Sequence, residues 1–300
     1  MISILLPNYN HAPYLRQRIE SILNQTYKDF ELIILDDCSP DNSRDIIEEY
    51  RNNPYVSQIV YNEKNSGSTF SQWKKGFHLA EGEYIWIAES DDYADPTFLE
   101  KVMQSIKKHN SVYCFVQTTV VDKNNEVVMK QPNILPKESI GLKKFTEEYL
   151  LFSTPICNAS MAVFKKDALD RGVWDRIIKF RYCGDWLLSG SFNGDENATV
   201  SEVKEYLNFF RTHSVNVSNK SEQRGLGILE GYKVSKYIAD RLKLKRDKEY
   251  SLKWYYKWQE YKLKFSYPLS LNTKILGMFI INQPMVVYYE LKRLFSRFIK

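Results

Sequence analysis

The sequence lacks paired cysteines, long apolar runs and low-complexity repeats. Its four cysteines are widely scattered, without the close spacing that metal sites use. The apolar run after Met1 is broken at Pro7, too early for a secretory signal, so we expect reduced thiols in a cytoplasmic protein. No stretch approaches the roughly eighteen apolar residues that a membrane-spanning helix needs. These absences argue against a disulfide scaffold and an integral membrane protein.

What the sequence does contain is enough apolar material for a folded core. Of its 300 residues, 43% are hydrophobic and 14% aromatic, which excludes general disorder and allows one large domain or two smaller ones. The charge is uneven: residues 1–219 carry 24 basic and 30 acidic side chains, and residues 220–300 carry 18 and 7. The basic C-terminal segment indicates an anionic partner, although a solvated basic surface would have the same composition.

An acidic stretch follows a short apolar run, Tyr84–Ala88. The run predicts a buried strand, and Glu89, Asp91 and Asp92 follow at its carboxyl end. Ligands bind at this end of the strands in an open α/β sheet. Carboxylates packed this closely are unfavourable unless a cation neutralises them, and a divalent metal is one interpretation. The alternative is that the acids are solvated and that Asp95 caps the next helix.

Apolar runs alternate with helical patterns through the first hundred residues. Strands are predicted at Ile2–Leu6, Phe30–Leu35, Val56–Tyr61 and from Tyr84. Helices are predicted from Pro13, around Ile46, and at about Ser71–Ala80 and Thr97–His109. This alternation predicts right-handed βαβ units and a mainly parallel, doubly wound sheet.

The pattern changes after about residue 110. A hairpin is predicted from Val112–Val121 and Glu126–Met129, and a helix at Leu142–Phe152. Further elements are a strand at Ala159–Phe164, a short helix at Trp186–Phe192 and a last strand at Tyr206–Arg211. From about residue 220 the chain is predicted to be helical, basic and aromatic.

Five segments, taken in order, resemble the family-2 glycosyltransferases, which are inverting enzymes of the GT-A fold. They are Ser3–Asn10, Ser21–Tyr27, Leu35–Ser39, Asn65–Ser68 and Glu89–Asp92. The resemblance implies a Rossmann-like, mainly parallel sheet with helices on both faces. It further implies a catalytic domain of residues 1–219, with a nucleotide-sugar half (1–110) and an acceptor half (111–219). The resemblance does not extend to residues 220–300, which the composition predicts to be a helical extension.

The resemblance places the nucleotide sugar at the strand ends. Asp37 would hold the base or ribose, although it could instead cap the following helix. Gly67 would let the backbone approach the nucleotide, although a turn glycine is an alternative. The predicted nucleotide-sugar residues are Pro7, Asn8, Asn10, Asp36, Asp37, Gly67, Glu89, Ser90 and Arg211.

The resemblance also implies a divalent metal, Mn²⁺ or Mg²⁺. Asp91 corresponds to the last acid of the family's Asp-x-Asp signature and is the predicted primary ligand. The first acid is here Glu89, a departure that puts direct ligation by that residue in doubt. His213 is the predicted second ligand, with a surface histidine as the alternative.

Asp185 is the predicted catalytic base because Cys183–Trp186 resembles the family's acidic segment at the head of a short acceptor-side helix. An inverting transfer needs one carboxylate to take the proton of the acceptor hydroxyl. Asp185 could instead be a helix N-cap, and Asp175 and Asp195 are weaker candidates. Asn158 and Trp186 are the predicted acceptor-side residues, with Trp186 stacked on a sugar face.

The resemblance thus implies a hexosyltransferase-type enzyme that moves one sugar from a nucleoside-diphosphate sugar to a carbohydrate or lipid-linked acceptor in cell-envelope polysaccharide synthesis. The Gln-x-x-Arg-Trp signature of processive synthases is absent, which favours single addition. The alternatives are a non-catalytic nucleotide-sugar-binding scaffold and a sugar nucleotidyltransferase. A homo-oligomer remains open, and nucleic acid is disfavoured because no recognition motif accompanies the basic charge.

The C-terminal segment predicts a basic amphipathic helix that begins at Pro284. One face would carry Val287, Tyr288, Leu291, Leu294, Phe295 and Phe298, with Lys292, Arg293, Arg297 and Lys300 elsewhere. This pattern is typical of peripheral binding to an anionic membrane, here the inner face of the cell membrane. The aromatic residues Trp254, Tyr255, Tyr256, Trp258 and Tyr261 could serve the same end. The alternative is a helical hairpin packed on protein.

Overall fold

The computed structural model describes residues 1–212, 226–265 and 267–298, with only the backbone of 296–298. The predicted metal ligand His213 lies outside the described residues, as do the predicted boundary at 219/220 and Lys300. The described chain divides into two compact units. The first includes residues 1–145 and 155–212, and the second includes 146–154 and the described residues from 226 onward.

The described strands of the first unit form one ten-stranded sheet. They are β1 (Ile2–Asn8), β2 (Phe30–Asp36), β3 (Val56–Tyr61), β4 (Tyr84–Ile87), β5 (Tyr93–Ala94), β6 (Ser111–Val121), β7 (Val127–Lys130), β8 (Ser139–Gly141), β9 (Ala162–Lys165) and β10 (Thr199–Arg211). The main order is β3-β2-β1-β4-β9-β6-β10-β5, with β7 beside β6 and β8 beside β10. The neighbours β3, β2, β1 and β4 are parallel, as are β6 and β10, whereas β9 runs antiparallel between β4 and β6.

Seven described α-helices begin in this part of the chain. They are α1 (Ala12–Leu23), α2 (Ser43–Glu48), α3 (Thr69–Leu79), α4 (Phe98–His109), α5 (Leu142–Tyr149), α6 (Trp174–Ile177) and α7 (Gly184–Ser189). All seven residues of β1 and of β2 are buried, which explains why these strands are continuous apolar runs. The predicted α/β class with C-terminal helices is confirmed.

Three predicted elements in the second half were misplaced. The last strand begins at Thr199, seven residues before the predicted Tyr206, because β10 pairs with β6 along almost its whole length despite irregular register. Residues Ala159–Met161 form a 3₁₀ turn before the strand β9. Helix α7 begins two residues before Trp186 and ends at Ser189.

The second unit is helical in its described part and has an aromatic core. Its helices from residue 226 onward are α8 (Leu226–Arg241), α9 (Lys248–Phe265), α10 (Leu269–Asn282) and α11 (Pro284–Phe298). Trp254, Trp258, Tyr232 and Phe279 are buried, and Tyr232 meets the rings of Trp254 and Phe279 edge to face. The two tryptophans are therefore core residues, and the prediction that they meet a membrane was wrong. No helix in the described parts of the chain is long and apolar enough to cross a bilayer.

Helix α11 buries Val286 and Glu290 within this unit and leaves Lys292 exposed. Glu290 is 4% exposed and accepts hydrogen bonds from Gln259 (2.8 Å), Lys262 (3.1 Å) and Arg293 (2.6 Å). Burial opposes ionisation, but Arg293 and Lys262 hold the pKa of Glu290 below its usual range. The residues left exposed on the helix include Met285, Tyr288, Leu291, Leu294 and Phe295.

Candidate functional site

The carboxyl ends of β2, β1 and β4 are neighbours at one edge of the sheet. Asn8 at the end of β1 is in register with Asp36 at the end of β2, and Leu5 is in register with Ile87 at the end of β4. The segments that follow these strands therefore meet above the same edge. This position suits a ligand. In open α/β sheets, ligands bind in a crevice outside the carboxyl ends of the strands, where the connections from two neighbouring strands leave the sheet in different directions.

Asn8, Asp36 and Ser39 form a hydrogen-bonded cluster at this edge. Asn8 Nδ2 donates to Asp36 Oδ1 (2.8 Å), and the Ser39 hydroxyl donates to the same oxygen (2.5 Å). The Ser39 hydroxyl in turn accepts the backbone N–H of Asn10 (3.0 Å), a residue with a left-handed backbone at φ 58°. The cluster fixes the two loops that follow β1 and β2, and it includes the predicted residues Asn8, Asn10 and Asp36.

Asp37 organises the loop before α3. Its carboxylate accepts hydrogen bonds from Asn62 Nδ2 (2.5 Å), Gln72 Nε2 (2.8 Å) and both the backbone N–H and hydroxyl of Ser66. Asp37 is only 4% exposed. It does not cap α2, whose first turn is preceded by Asn42. Its contact with a base or ribose remains a prediction.

Gly67 occupies a backbone conformation that favours glycine, at φ 73°. A Cβ atom there would meet nothing closer than Asn65 Oδ1 at 3.9 Å. The turn between β3 and α3 therefore needs glycine for its backbone angle, since space alone would admit a side chain.

Glu89 is the first residue of the acidic loop (Glu89–Asp92), and both its side chain and its backbone make hydrogen bonds. Its carboxylate accepts the indole N–H of Trp73 (2.7 Å) and the hydroxyl of Thr69 (3.3 Å), and its backbone N–H donates to Ser160 Oγ (3.1 Å). Burial and the charge of Asp91 raise the pKa of Glu89 to about 8. Ser90 is tied down by a 2.8 Å hydrogen bond between its hydroxyl and His11 Nδ1.

Asp92 faces the protein interior. Its two oxygens accept Asn158 Nδ2 (2.5 Å) and the backbone N–H of Arg211 (3.0 Å), and the residue is 1% exposed. Burial and the charge of Asp91 raise its pKa well above the usual range, while Arg18 opposes them. Asp92 thus joins the acidic loop to β10.

Arg211 is a buried structural residue, which does not support its predicted contact with the diphosphate. Its guanidinium donates to the backbone carbonyls of Asp91 (2.8 Å) and Asp122 (3.2 Å) and to Gln17 Oε1 (2.8 Å). Tyr14 lies against its face, with the guanidinium carbon 4.6 Å from the ring centroid. Because its nitrogens already bind protein groups, we now expect Arg211 to position Asp91.

The acidic loop offers a metal only a partial set of ligands. In the described ranges, no three acidic, histidine or cysteine side chains converge as a metal cage would require. The carboxylates of Glu89 and Asp92 accept hydrogen bonds from Trp73 and Asn158, and the half-buried Asp91 lies between them in the chain. A hard carboxylate oxygen suits Mg²⁺ or Mn²⁺ held jointly with substrate phosphates and water.

Asp185 is the second residue of α7, and Cys183 occupies the N-cap position. Together with Ile87, Tyr113 and Ala159 it lines a small, largely apolar cavity. Ile87 ends the strand from which the acidic loop emerges, so the cavity brings Asp185 close to that loop. Gly184 permits this approach, because a Cβ atom there would lie 2.6 Å from the ring of Phe70.

The structure changes the roles expected of the two acceptor-side residues. Trp186 is 5% exposed, so its ring lies in the core and is not presented to a sugar. Asn158 is also buried and links Asp92 to Asn208, whose Nδ2 donates to Asn158 Oδ1 (3.1 Å). We now expect both residues to support the site from behind.

Sequence reasoning missed buried polar residues in and just after α1. Arg18 on α1 and Gln25, two residues beyond its end, are buried, and the half-buried Ser21 lies between them at helical spacing. Gln25 donates to Asp95 O (2.7 Å) and accepts the N–H of Leu99 (2.9 Å), while Ser21 Oγ accepts the N–H of Ala94. Polar residues at helical spacing among the apolar residues of this segment were the available signal.

Comparison with known proteins agrees with this architecture. The family model for glycosyl transferase family 2 matches residues 3–173. The chain belongs to this family. A glycosyltransferase of Methanocaldococcus jannaschii is 33% identical over 236 residues, which cover 73% of this chain and 80% of that protein. A glycosyltransferase of Nostoc sp. is 26% identical over 315 residues, covering 98% of this chain and 94% of that protein.

The family-2 chain is also similar to TarS of Staphylococcus aureus, a poly(ribitol-phosphate) beta-N-acetylglucosaminyltransferase. In sequence, the two are 34% identical over 113 residues, which cover 36% of this chain and only 19% of TarS. A crystal structure of TarS residues 1–349 with UDP-GlcNAc matches with a TM-score of 0.53 at 17% identity, covering 91% of this chain and 83% of that one. At this identity the structural match shows the GT-A fold alone.

Proposed function

We propose that this glycosyltransferase moves a single sugar from a nucleoside-diphosphate sugar to a glycan or lipid-linked acceptor, with inversion. The observation that carries the proposal is the common sheet edge where the Asn8–Asp36–Ser39 cluster, the Asp37 loop and the acidic loop meet. A similar protein, TarS, has been crystallised with UDP-GlcNAc. Other similar proteins are named for putative teichuronic acid biosynthesis, for minor teichoic acid biosynthesis and, in the case of TarS, for a poly(ribitol-phosphate) acceptor, which supports an envelope glycan as the acceptor.

Asp185 is proposed to act as the general base. In the transfer, the acceptor hydroxyl oxygen forms a bond to the anomeric carbon as the bond from that carbon to the diphosphate oxygen breaks. The hydroxyl proton passes to Asp185, and the nucleoside diphosphate leaves. A single in-line displacement of this kind inverts the anomeric configuration.

Asp91 is proposed to hold a divalent metal together with the diphosphate. When bound, such an ion offsets the charge of the leaving group. The chain's own contribution is to keep Asp91 in place: Arg211 binds its backbone carbonyl, and Trp73 and Asn158 fix the acids on either side.

A thermal-shift screen of nucleotide sugars with and without Mn²⁺ tests this function. A ligand that binds only the folded state raises the apparent stability, by about 2.7 kcal/mol at a hundredfold excess over Kd. We expect one donor class to raise the Tm in Mn²⁺ and less in EDTA, and Asp91→Ala to lose the metal-dependent part. Asp167→Ala, at an exposed acid paired with Arg171, is the matched control.

Product analysis separates the alternatives. We expect release of nucleoside diphosphate and an acceptor product of inverted configuration, measured by NMR. Release of pyrophosphate would instead indicate a nucleotidyltransferase. Donor binding without any hydrolysis or transfer would indicate a scaffold.

We further propose that α11 attaches the second unit to an anionic membrane surface. The described part of this helix exposes Tyr288, Leu291, Leu294 and Phe295, with Lys292 beside them. Residues 220–300 carry a net charge of +11, which complements anionic lipid headgroups. A second copy of the chain would carry the same positive charge on this segment, so lipid is the occupant that charge favours.

A further inference from the structure

Arg18 is buried and has no hydrogen-bond partner among the residues that the structure describes. Its side chain projects from α1, is 0% exposed, and none of its three guanidinium nitrogens makes a hydrogen bond in the structure. Burying an ionised group without compensation is costly, and buried arginines are normally paired. Arg18 therefore requires an explanation from its surroundings.

Its surroundings are aromatic on one side and acidic on another. The guanidinium carbon lies 4.8 Å from the ring centroid of Trp86, and Phe98 stacks on the same indole at 4.5 Å. The acids that act on Arg18 electrostatically are Asp92, Glu89 and Asp91, in decreasing order. Burial lowers the pKa of Arg18 to about 10, so the group stays charged at neutral pH.

Trp86 fixes Arg18 relative to the acidic loop. The indole N–H of Trp86 donates to Ser160 O (2.8 Å), and the hydroxyl of Ser160 accepts the backbone N–H of Glu89 (3.1 Å). Gln17, which precedes Arg18 on α1, accepts a hydrogen bond from the guanidinium of Arg211. The same guanidinium donates to the backbone carbonyl of Asp91. The charge of Arg18 is thus held close to the loop but does not cap any one carboxylate.

We propose that Arg18 is the resident countercharge of the acidic loop, a positioning residue that keeps Asp91 and its neighbours in place whether or not a metal is bound. A guanidinium bonded to one carboxylate would neutralise that ligand. A guanidinium held near the loop without such a bond offsets the negative charge of those acids that are ionised and leaves Asp91 able to bind a cation. The functional part of this inference rests on the proposed role of Asp91 as a metal ligand. The interaction between the charge of Arg18 and the acidic loop does not require a metal.

A double-mutant cycle in EDTA tests the charge itself. Arg18→Met removes the charge and retains a long side chain, and Asp91→Asn removes one acid with little change in size. Asp92 is unsuitable for this cycle because its carboxylate oxygens accept hydrogen bonds from Asn158 and from the backbone N–H of Arg211, which a substitution would also disturb. We expect Arg18→Met to lower the folding equilibrium constant at least tenfold more in the native background than in Asp91→Asn, and Arg18→Lys to recover most of the loss.

Ile22→Ala is the matched control, because Ile22 is also fully buried on α1 and carries no charge. Its penalty should be equal in both backgrounds. An Arg18→Met penalty that is equally unaffected by Asp91→Asn would overturn the proposal and make Arg18 a packing residue. If Arg18→Met alone does not fold, recovery of folded protein in the double variant supports the proposal, and failure of the double variant while Asp91→Asn folds overturns it.

Mn²⁺ provides a readout that packing would not move. Without the resident charge, the apo protein should depend more on an added cation, so Mn²⁺ should raise the Tm of Arg18→Met more than that of the native protein or Ile22→Ala. An equal or smaller shift counts against the proposal. If the native protein shows no Mn²⁺ shift even with nucleoside diphosphate, the metal role of Asp91 fails, and the cycle in EDTA still decides the role of Arg18.

Discussion

Asp185 has two properties that the proposed catalytic base would need, a defined position and proximity to the acidic loop. It lies at the second position of α7 and shares a cavity with Ile87, two residues before Glu89. Asp185→Asn keeps the size of the side chain but cannot accept the proton. We expect turnover to fall about a hundred- to ten-thousandfold, with nearly unchanged affinity for the nucleotide sugar, when both are measured in the same variant.

Asp175→Asn is the control for this experiment. Asp175 is an exposed acid paired with Lys74 at 2.7 Å, and its replacement should leave turnover near normal. Near-normal turnover in Asp185→Asn would rule it out as the base. A loss of donor affinity together with thermal stability would give Asp185 a structural role.

Glu89 should make the stability of the metal-free protein fall as the pH rises. Its pKa is raised to about 8 in the folded state, above the ordinary value of 4.5, so the folded protein binds more protons in between. Stability therefore decreases from about pH 4.5 to about pH 8. We expect Glu89→Gln to flatten the dependence of Tm on pH across this window, measured in EDTA, and an unchanged slope would contradict the shift.

At the residue scale, short motifs predicted which groups are present but not what they touch. Asn8, Asp36 and Asp185 lie where the motifs placed them, at strand ends or at a helix head. The partners of Arg211 and Asp92 could not be predicted, because they come from segments between 66 and 194 residues away in the chain. The same separation hid Arg18, whose role depends on a loop seventy residues later.

Gln25, two residues after the end of α1, supports the start of α4. It is fully buried and serves three backbone groups, donating to Ser21 O and Asp95 O and accepting from Leu99 N. Gln25→Ala would leave the Leu99 N–H and the Ser21 carbonyl without this partner, at about 1–3 kcal/mol each, whereas Asp95 O still accepts the N–H of Phe98. We expect a total loss of roughly 2–4 kcal/mol in the free energy of unfolding, measured with urea.

Gln104→Ala on α4 is the comparison for Gln25→Ala. Gln104 is exposed and makes one long contact with Glu100, so its loss should cost at most about 0.5 kcal/mol. If the two variants lose similar stability, then the hydrogen bonds of Gln25 do not stabilise the start of α4.

At the element scale, the sequence was most informative for β1 to β4 and least informative for β10. The first strands are short runs with apolar residues on both faces, so their pattern is local and their ends are marked by polar residues. The first half of β10 mixes buried and exposed polar residues, and it is a strand because β6 pairs with it. Long-range pairing of this kind leaves little trace in local composition.

For the whole molecule, the uneven charge predicts a salt-dependent attraction to anionic lipid. We expect the full-length protein to sediment with anionic liposomes at low salt and to be released as the ionic strength rises, because screening shortens the reach of the attraction. Leu291→Glu, which places an acid in the exposed apolar stripe of α11, should abolish most of the binding.

Gln104→Glu introduces the same change of charge on α4 and should leave liposome binding intact. Binding that is equally reduced in both variants would reflect net charge alone. If the native protein does not bind anionic liposomes at low salt, we expect protein to cover the exposed side of α11. The oligomeric state, measured by light scattering, then tests whether a second copy of the chain covers it.

At this scale, composition predicted a basic, helical C-terminal segment but not which side of its last helix faces inward. The amphipathic pattern left open whether the helix binds a membrane or packs on protein. The structure buries Glu290, which accepts hydrogen bonds from the partly exposed Lys262 and Arg293. Periodicity identifies two faces of a helix, and only the neighbouring helix decides between them.

The bonds from Arg211 also bear on the order in which the active site matures during synthesis. The residues that form the strand-end clusters all belong to the first ninety or so positions, and they leave the ribosome early. Arg211, which binds the acidic loop, is 119 positions from Asp92 and 194 positions from Gln17 in the chain. The chain must therefore be synthesised at least as far as Arg211 before these bonds to the acidic loop can form, well after the strand-end residues have left the ribosome.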